Sequence, residues 1–271
     1  MADLIGLDVG FSAKRPSSGV ARLPSRGEPK VGYAMASWES RASIIGSGRA
    51  SIAAIDAPFT RLGPSERRSC ERIFLFGRFQ KRCKPGLSHV RGTGQRLRGA
   101  GREAADQLKP IIETESCGTD FPKVEDCNIV EAFPNAYLGV CVPQDTFLAK
   151  PSLKRGKKFD WLYDTWVSSR KFHEVSQRIE LPALSQLAEI FAQNRQHDER
   201  AALVCLLTAA GVLTGNYSAV GDAEGGYFFL PPWGCWANWA REELNLQRGR
   251  IAGLEIWIDG ECFLSQDSLP T

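Results

Sequence analysis

The run LIGLDVGF at residues 4–11 constrains this chain more than any other segment. Its apolar residues end on Asp8, with Gly10 two positions on, which reads as a buried first strand delivering a carboxylate to its own carboxyl end. Open α/β sheets place their ligand chemistry at that end of their strands. A charged side chain closing a buried strand is costly without a partner, so Asp8 calls for one. Three more acids stand in comparable settings: Asp56 after IAAI, Glu131 after NIV, and Asp198 at the start of AALVCLLTAAGVL. Brought together, four carboxylates would offer a hard divalent cation the oxygen ligands it prefers.

The order of elements follows from the same pattern. LIGLDVGF, residues 18–24 and residues 30–39 are short extended runs separated by Ser, Pro and Gly, which predicts an antiparallel three-stranded meander. A short helix is expected near 40–49, then a buried strand, SIAAIDAPF, stopping at Pro58 and parallel to the first. The next segment predicts a helix around 65–82, a glycine-rich loop between 84 and 101, and a helix around 102–113. CNIVEAFPNAYLGV at 127–140 is expected to be a fifth core strand. Residues 159–172 and 183–194 read as helices, and 195–215 as a largely buried helix closed by Gly215 or Gly211. YFFLPP, a Trp-rich stretch at 233–239, and a hairpin over 254–264 turning at Asp259 and Gly260 complete the chain.

A chain of 271 residues, 43% hydrophobic, can bury one large core, so a single domain over 1–271 is expected. The N-terminal run is too short and too acidic for a secretory signal, and the longest apolar run, 201–213, is too short to cross a bilayer. A soluble cytoplasmic protein without a membrane partner is the expectation. The eight cysteines form no C-x-x-C pair, and their spacing fits neither a zinc ribbon nor a compact disulfide framework. The net charge of +3 is unevenly distributed: residues 61–110 hold thirteen Lys and Arg against four acids. A basic block beside a candidate metal site suits a polyanion, because neutralised phosphates release counterions and gain affinity. Lys154, Arg155, Lys157 and Lys158 form a second cluster. Arg67, Arg68, Arg91 and Lys150 are the candidate substrate contacts; a solvated basic surface is the competing reading.

Three strands, helix, strand, helix, strand, helix is the order of the RNase H-like fold, α/β with a mixed five-stranded core sheet flanked by helices. Here it would carry a basic helical insertion at 61–127 and a C-terminal extension at 232–271. LDVGF, AAIDAPF, the R-R-S-C-E segment at 67–71, EAFP at 131–134, HDERAAL at 197–203 and GDAEGGYFFLP at 221–231 together resemble the family of predicted RNase H-like nucleases catalogued as domain of unknown function 429. The resemblance implies the fold and a metal site; the family's activity is itself a prediction.

Phosphodiester hydrolysis needs an activated water and a clamp on the charge developing at the attacking and leaving oxygens, and two Mg²⁺ or Mn²⁺ ions provide both. Asp8 would bridge the ions, Asp56 and Asp198 would each hold one, and Glu131 would complete the set. Without metal, clustered anions repel and take up protons, so raised pKa values are expected. Each acid also has a plain structural role open to it: Asp8 could shape a turn, Asp56 or Asp198 could cap a helix, and Glu131 could pair with an arginine. Glu199 could substitute for Asp198. His89, His173 and His197 are too scattered for a zinc set, although His89 could assist proton transfer. The tryptophans could stack bases or fill the core. Two other readings stay open: an actin-like small-molecule kinase with LDVG and GDAEGG as phosphate loops, and a non-catalytic nucleic-acid or nucleotide binding module.

Overall fold

Alternation along the first strands sets the layers. In β1 (Leu4–Asp8), Leu4 and Gly6 face one side of the sheet and Ile5 and Leu7 the other, and both sides are buried. The computed structural model describes residues 3–12, 14–60, 67–83, 87–114, 119–153, 157–264 and 266–270. β1 pairs antiparallel with β2 (Ser18–Leu23), and β2 with β3 (Lys30–Ala34). Helix α1 (Trp38–Ile45), capped by the Ser37 hydroxyl, leads to β4 (Ile52–Asp56), which lies parallel to β1. Three helices follow, α2 (Ser69–Ile73), α3 (Gly77–Cys83) and α4 (Thr93–Leu108), before β5 (Ile129–Ala132), parallel to β4. Then come α5 (Pro134–Cys141), α6 (Gln144–Leu148), α7 (Lys158–Ser168), α8 (Lys171–Ile179), α9 (Ala188–Gln193) and α10 (His197–Thr214). The chain closes with β6 (Ser218–Asp222), β7 (Gly226–Leu230), α11 (Asn238–Gln247), β8 (Glu255–Ile258) and β9 (Glu261–Leu264).

The strands form one mixed nine-stranded sheet in the order β3-β2-β1-β4-β5-β7-β6-β8-β9. Helix α10 crosses β1 and β2 on one face, where two glycines permit backbone contact. A Cβ at Gly6 would stand 2.2 Å from the Ala202 carbonyl oxygen, and one at Gly19 would stand 1.8 Å from that of Asp198. This is why α10 is apolar all round: one side meets the sheet and the rest is buried under α5 and α8. The opposite face of β1 and β4 packs on α1 and α4 through Ile5, Leu7, Ile55, Ile45, Ala104 and Leu108.

The meander, the parallel fourth strand, α10 and its left-handed cap at Gly215 (φ 77°) agree with the sequence, as does the hairpin turning at Asp259 and Gly260. Other boundaries differ for identifiable reasons. Half of the expected glycine-rich loop, from Thr93 on, is helix α4, and residues 84–86 of it lie outside the described residues; Gly94 and Gly101 serve close packing, with a Cβ at Gly101 falling 2.4 Å from the Pro58 carbonyl. The expected fifth strand ends after four residues because Pro134 opens α5 at a position where a missing N–H costs nothing. Of the helix expected near 65–82, residues 65 and 66 lie outside the described residues and the rest holds two short helices, while Arg170 in a left-handed conformation (φ 58°) divides α7 from α8. The sheet also runs past five strands: β6, unmarked by its sequence, pairs with β7 and β8, so the C-terminal segment is built into it. Lys154 and Arg155 of the second basic cluster lie outside the described residues. No helix among the described residues is long and apolar enough to cross a membrane.

Candidate functional site

The register of β1 and β4 places Asp8 directly abreast of Asp56 at the carboxyl ends of two parallel neighbours. Adjacent strands lie about 4.8 Å apart, and laterally paired residues point to the same side. That side is the α10 face, and the Cys205 thiol of α10 lies close enough to feel both carboxylates. On the other flank Asp8 pairs with Gly19, the glycine against which the first turn of α10 is pressed at Asp198. Three acids from distant parts of the chain therefore meet at one rim.

Their electrostatics follow from the crowding. The Asp8 carboxyl is pushed well above its ordinary range by burial, then by the Asp56 and Asp198 charges, with Arg41 partly offsetting them. Burial and Glu131 push Asp56 up to about 7. Asp198 is raised by burial, with His197 and Arg15 acting in the opposite direction. The rise expected of clustered, metal-free carboxylates is thus present. Among the described residues, none of the three accepts a hydrogen bond or joins an ion pair, in contrast to Glu199, which accepts from Asn194 Nδ2 at 2.7 Å. Nor does Asp198 cap its helix: Gln196 stands at the N-cap position with no side-chain cap.

Glu131 differs. It is abreast of Ile55, one step before Asp56, so the pleat turns it to the opposite side of the sheet. There Arg68 donates to both of its oxygens, at 2.6 and 2.8 Å, and also to Glu71 Oε1 at 2.8 and 3.0 Å and to the Gly225 carbonyl at 3.3 Å. Arg68 is only 1% exposed and lies over the Phe228 ring. In place of the metal ligation expected of Glu131 and the substrate contact expected of Arg68, the two satisfy each other. Burial still raises the Glu131 carboxyl, and Arg68 only partly offsets it. Between this pair and Asp56 lies a cavity of about 50 Å³, walled also by Leu97 and Phe133.

The other candidates are spread out. Arg67 is exposed and its Nε donates to His89 Nε2 at 3.3 Å; Arg91 is exposed just before α4. Lys150 lies over the Trp161 ring, 5.8 Å from its centroid, and joins no ion pair with the acids. Trp233, Trp236 and Trp239 are core residues, each buried with its indole N–H given to a backbone carbonyl. Sequence reasoning missed Arg41, a buried arginine that donates to the Gly10 carbonyl at 3.1 Å, to Ser18 Oγ at 3.0 Å and to Gln107 Oε1 at 2.8 Å. It fixes the chain leaving β1, and nothing in an isolated arginine of α1 announces that.

Among the described residues no group of three or more His, Cys, Asp or Glu side chains is assembled as a metal cage. The unpaired pair Asp8 and Asp56 suits a Mg²⁺-like ion all the same, since such ions keep several waters and take one or two carboxylates together with substrate phosphates. Comparison with protein-family models, curated proteins and solved structures returns no match to this chain.

Proposed function

We propose that this chain is a metal-dependent nuclease that hydrolyses phosphodiester bonds in DNA or RNA, on a single RNase H-like domain over 1–271. The observation that carries the reading is Asp8 abreast of Asp56 at a parallel strand end, neither joined to a cation by an ion pair among the described residues, with Asp198 beside them. The run of strands β3-β2-β1-β4-β5, antiparallel then parallel, supports the fold assignment and the resemblance to domain of unknown function 429. Seven described cysteines without a disulfide fit a reducing, cytoplasmic setting.

Asp8, Asp56 and Asp198 are the residues that would hold Mg²⁺ or Mn²⁺, two ions being expected with substrate. When bound, the metal supplies an activated water and neutralises charge on the attacking and leaving oxygens. Arg67 and Arg91 are exposed, where they would meet flanking phosphates. Glu131 acts indirectly, as the anchor of Arg68 beneath the rim.

Asp8→Asn tests the reading: Mn²⁺-dependent cleavage of labelled single- and double-stranded oligonucleotides should disappear, and an unchanged rate removes Asp8 from the mechanism. One observation favours a second reading, a non-catalytic nucleic-acid binding module: Arg68 has neutralised one of the four expected acids. Salt-sensitive binding without turnover in Mg²⁺ or Mn²⁺ would select it. An actin-like kinase needs two sheet domains, whereas the described strands form a single continuous sheet.

A further inference from the structure

Directly after β1 the chain passes through Val9 and Gly10 to Phe11, a residue 36% exposed. Three residues of extended chain reach no further than about 10 Å, so Phe11 is close to the carboxyl end of β1, on the α1 and α4 side of the sheet, across from the α10 side that Asp8 faces. Its position is built. The Gly10 N–H donates to Ser18 Oγ at 3.1 Å, its carbonyl accepts from Arg41, and a Cβ there would fall 1.8 Å from the Ser17 carbonyl. Phe11 walls a groove of about 460 Å³ together with Met35, Ser37, Ala100 and Glu103, with Arg41 in its lining. That volume is in the range of sites for small planar ligands, about 300–1,000 Å³. The guanidinium of Arg96, from the first turns of α4, lies over the Phe11 ring at 4.7 Å, and Arg91 is exposed just before that helix.

We infer that this groove seats an unpaired base of a single-stranded nucleic acid, stacked at Phe11 while Arg96 and Arg91 hold the adjoining phosphates. The inference rests on the phosphodiester reading of the neighbouring Asp8 rim and narrows its substrate class. An aromatic ring beside an arginine is the means by which proteins hold single strands, because every base offers a π face while the backbone charge tracks the cations. A base inside a duplex already stacks on its neighbours on both faces and has none to offer. The remaining arginine of the groove, Arg41, spends its donors on Gly10, Ser18 and Gln107, so it shapes the floor.

The test is fluorescence anisotropy of the full chain in Ca²⁺, with a labelled twelve-nucleotide single strand, the matching blunt duplex, and a free mononucleotide as competitor. The single strand should bind at least about tenfold more tightly than the duplex. Phe11→Ala should cost the single strand about tenfold in affinity, with duplex binding and the urea midpoint unchanged. Phe11→Trp should restore the loss, and a 2-aminopurine in the strand should be quenched by wild type and not by Phe11→Ala. Equal affinity for strand and duplex, binding indifferent to Phe11→Ala, or a mononucleotide competing as well as the strand would each overturn the inference. Phe11-dependent strand binding without Mn²⁺-dependent cleavage refutes the nuclease reading alone, and cleavage with Phe11-independent binding refutes this inference alone.

Discussion

Replacing Asp56 by Asn should stabilise the metal-free protein, and the gain should depend on pH in a defined way. Asp56 and Asp8 lie on strands about 4.8 Å apart, and two unit charges about 5 Å apart at an effective dielectric of about 20 repel by about 3 kcal/mol. The rise of the Asp56 carboxyl from 3.8 to about 7, caused by burial and then by Glu131, corresponds to about 4 kcal/mol. Asp8 and Asp56 are only partly covered, so solvent screening leaves about 2 kcal/mol of this. The folded protein holds this proton up to about pH 7, while the unfolded chain releases it near 3.8. Stability is therefore lost as pH climbs between those values and stays lost above them. Asn carries no charge, so the variant should match wild type near pH 4 and exceed it by about 2 kcal/mol at pH 8. For a chain of this length that is about 4–8 °C in Tm. Thermal melts in EDTA at pH 4, 6 and 8 measure it, and Mn²⁺ at pH 8 should raise wild type more than the variant. A variant less stable than wild type at pH 8, or a difference independent of pH, would refute the account of Asp56 as a buried carboxylate crowded by other acids.

Arg68→Met should cost about 3–5 kcal/mol in urea unfolding, because Glu131 and Glu71 would be left buried without their shared cation; adding Glu131→Gln should recover part of the loss, and no recovery would mean the pair is uncoupled. Gly19→Ala should displace the first turn of α10 and weaken Mn²⁺ binding by calorimetry at least tenfold, since its Cβ would collide with the Asp198 carbonyl; unaltered affinity would place Asp198 outside the metal site. Gly215→Ala should lower stability by about 1 kcal/mol, the cost of a left-handed cap at φ 77°, without changing metal binding.

What could be read from the residues was what a single strand or helix decides by itself. LIGLD and IAAID announce buried strands ending in acids, and their parallel pairing brings Asp8 and Asp56 abreast as that pattern suggests. Glu131 also follows an apolar run, but the side it faces depends on its partner strand: Ile55 sits opposite it where a shift of one residue would have put Asp56. That register is a property of two segments more than 70 residues apart in the chain. Glycines misled in the same way. Gly94, Gly99 and Gly101 look like a loop, and only the proximity of Pro58 and Leu87 shows that two of them make room for backbone. SAVGD carried no strand signal of its own because its identity comes from lying between β7 and β8.

That last strand has a bearing on how the protein can be handled. A fragment ending near residue 231 would lose the hairpin that covers one side of Ser218–Asp222, along with three buried tryptophans, Trp233, Trp236 and Trp239. It would present a bare row of amide and carbonyl groups beside newly wetted aromatic surface, an invitation to pair with copies of itself. The closing forty residues are in effect the protein's own chaperone against sheet-to-sheet association, and any trimmed version should first be checked for monodispersity.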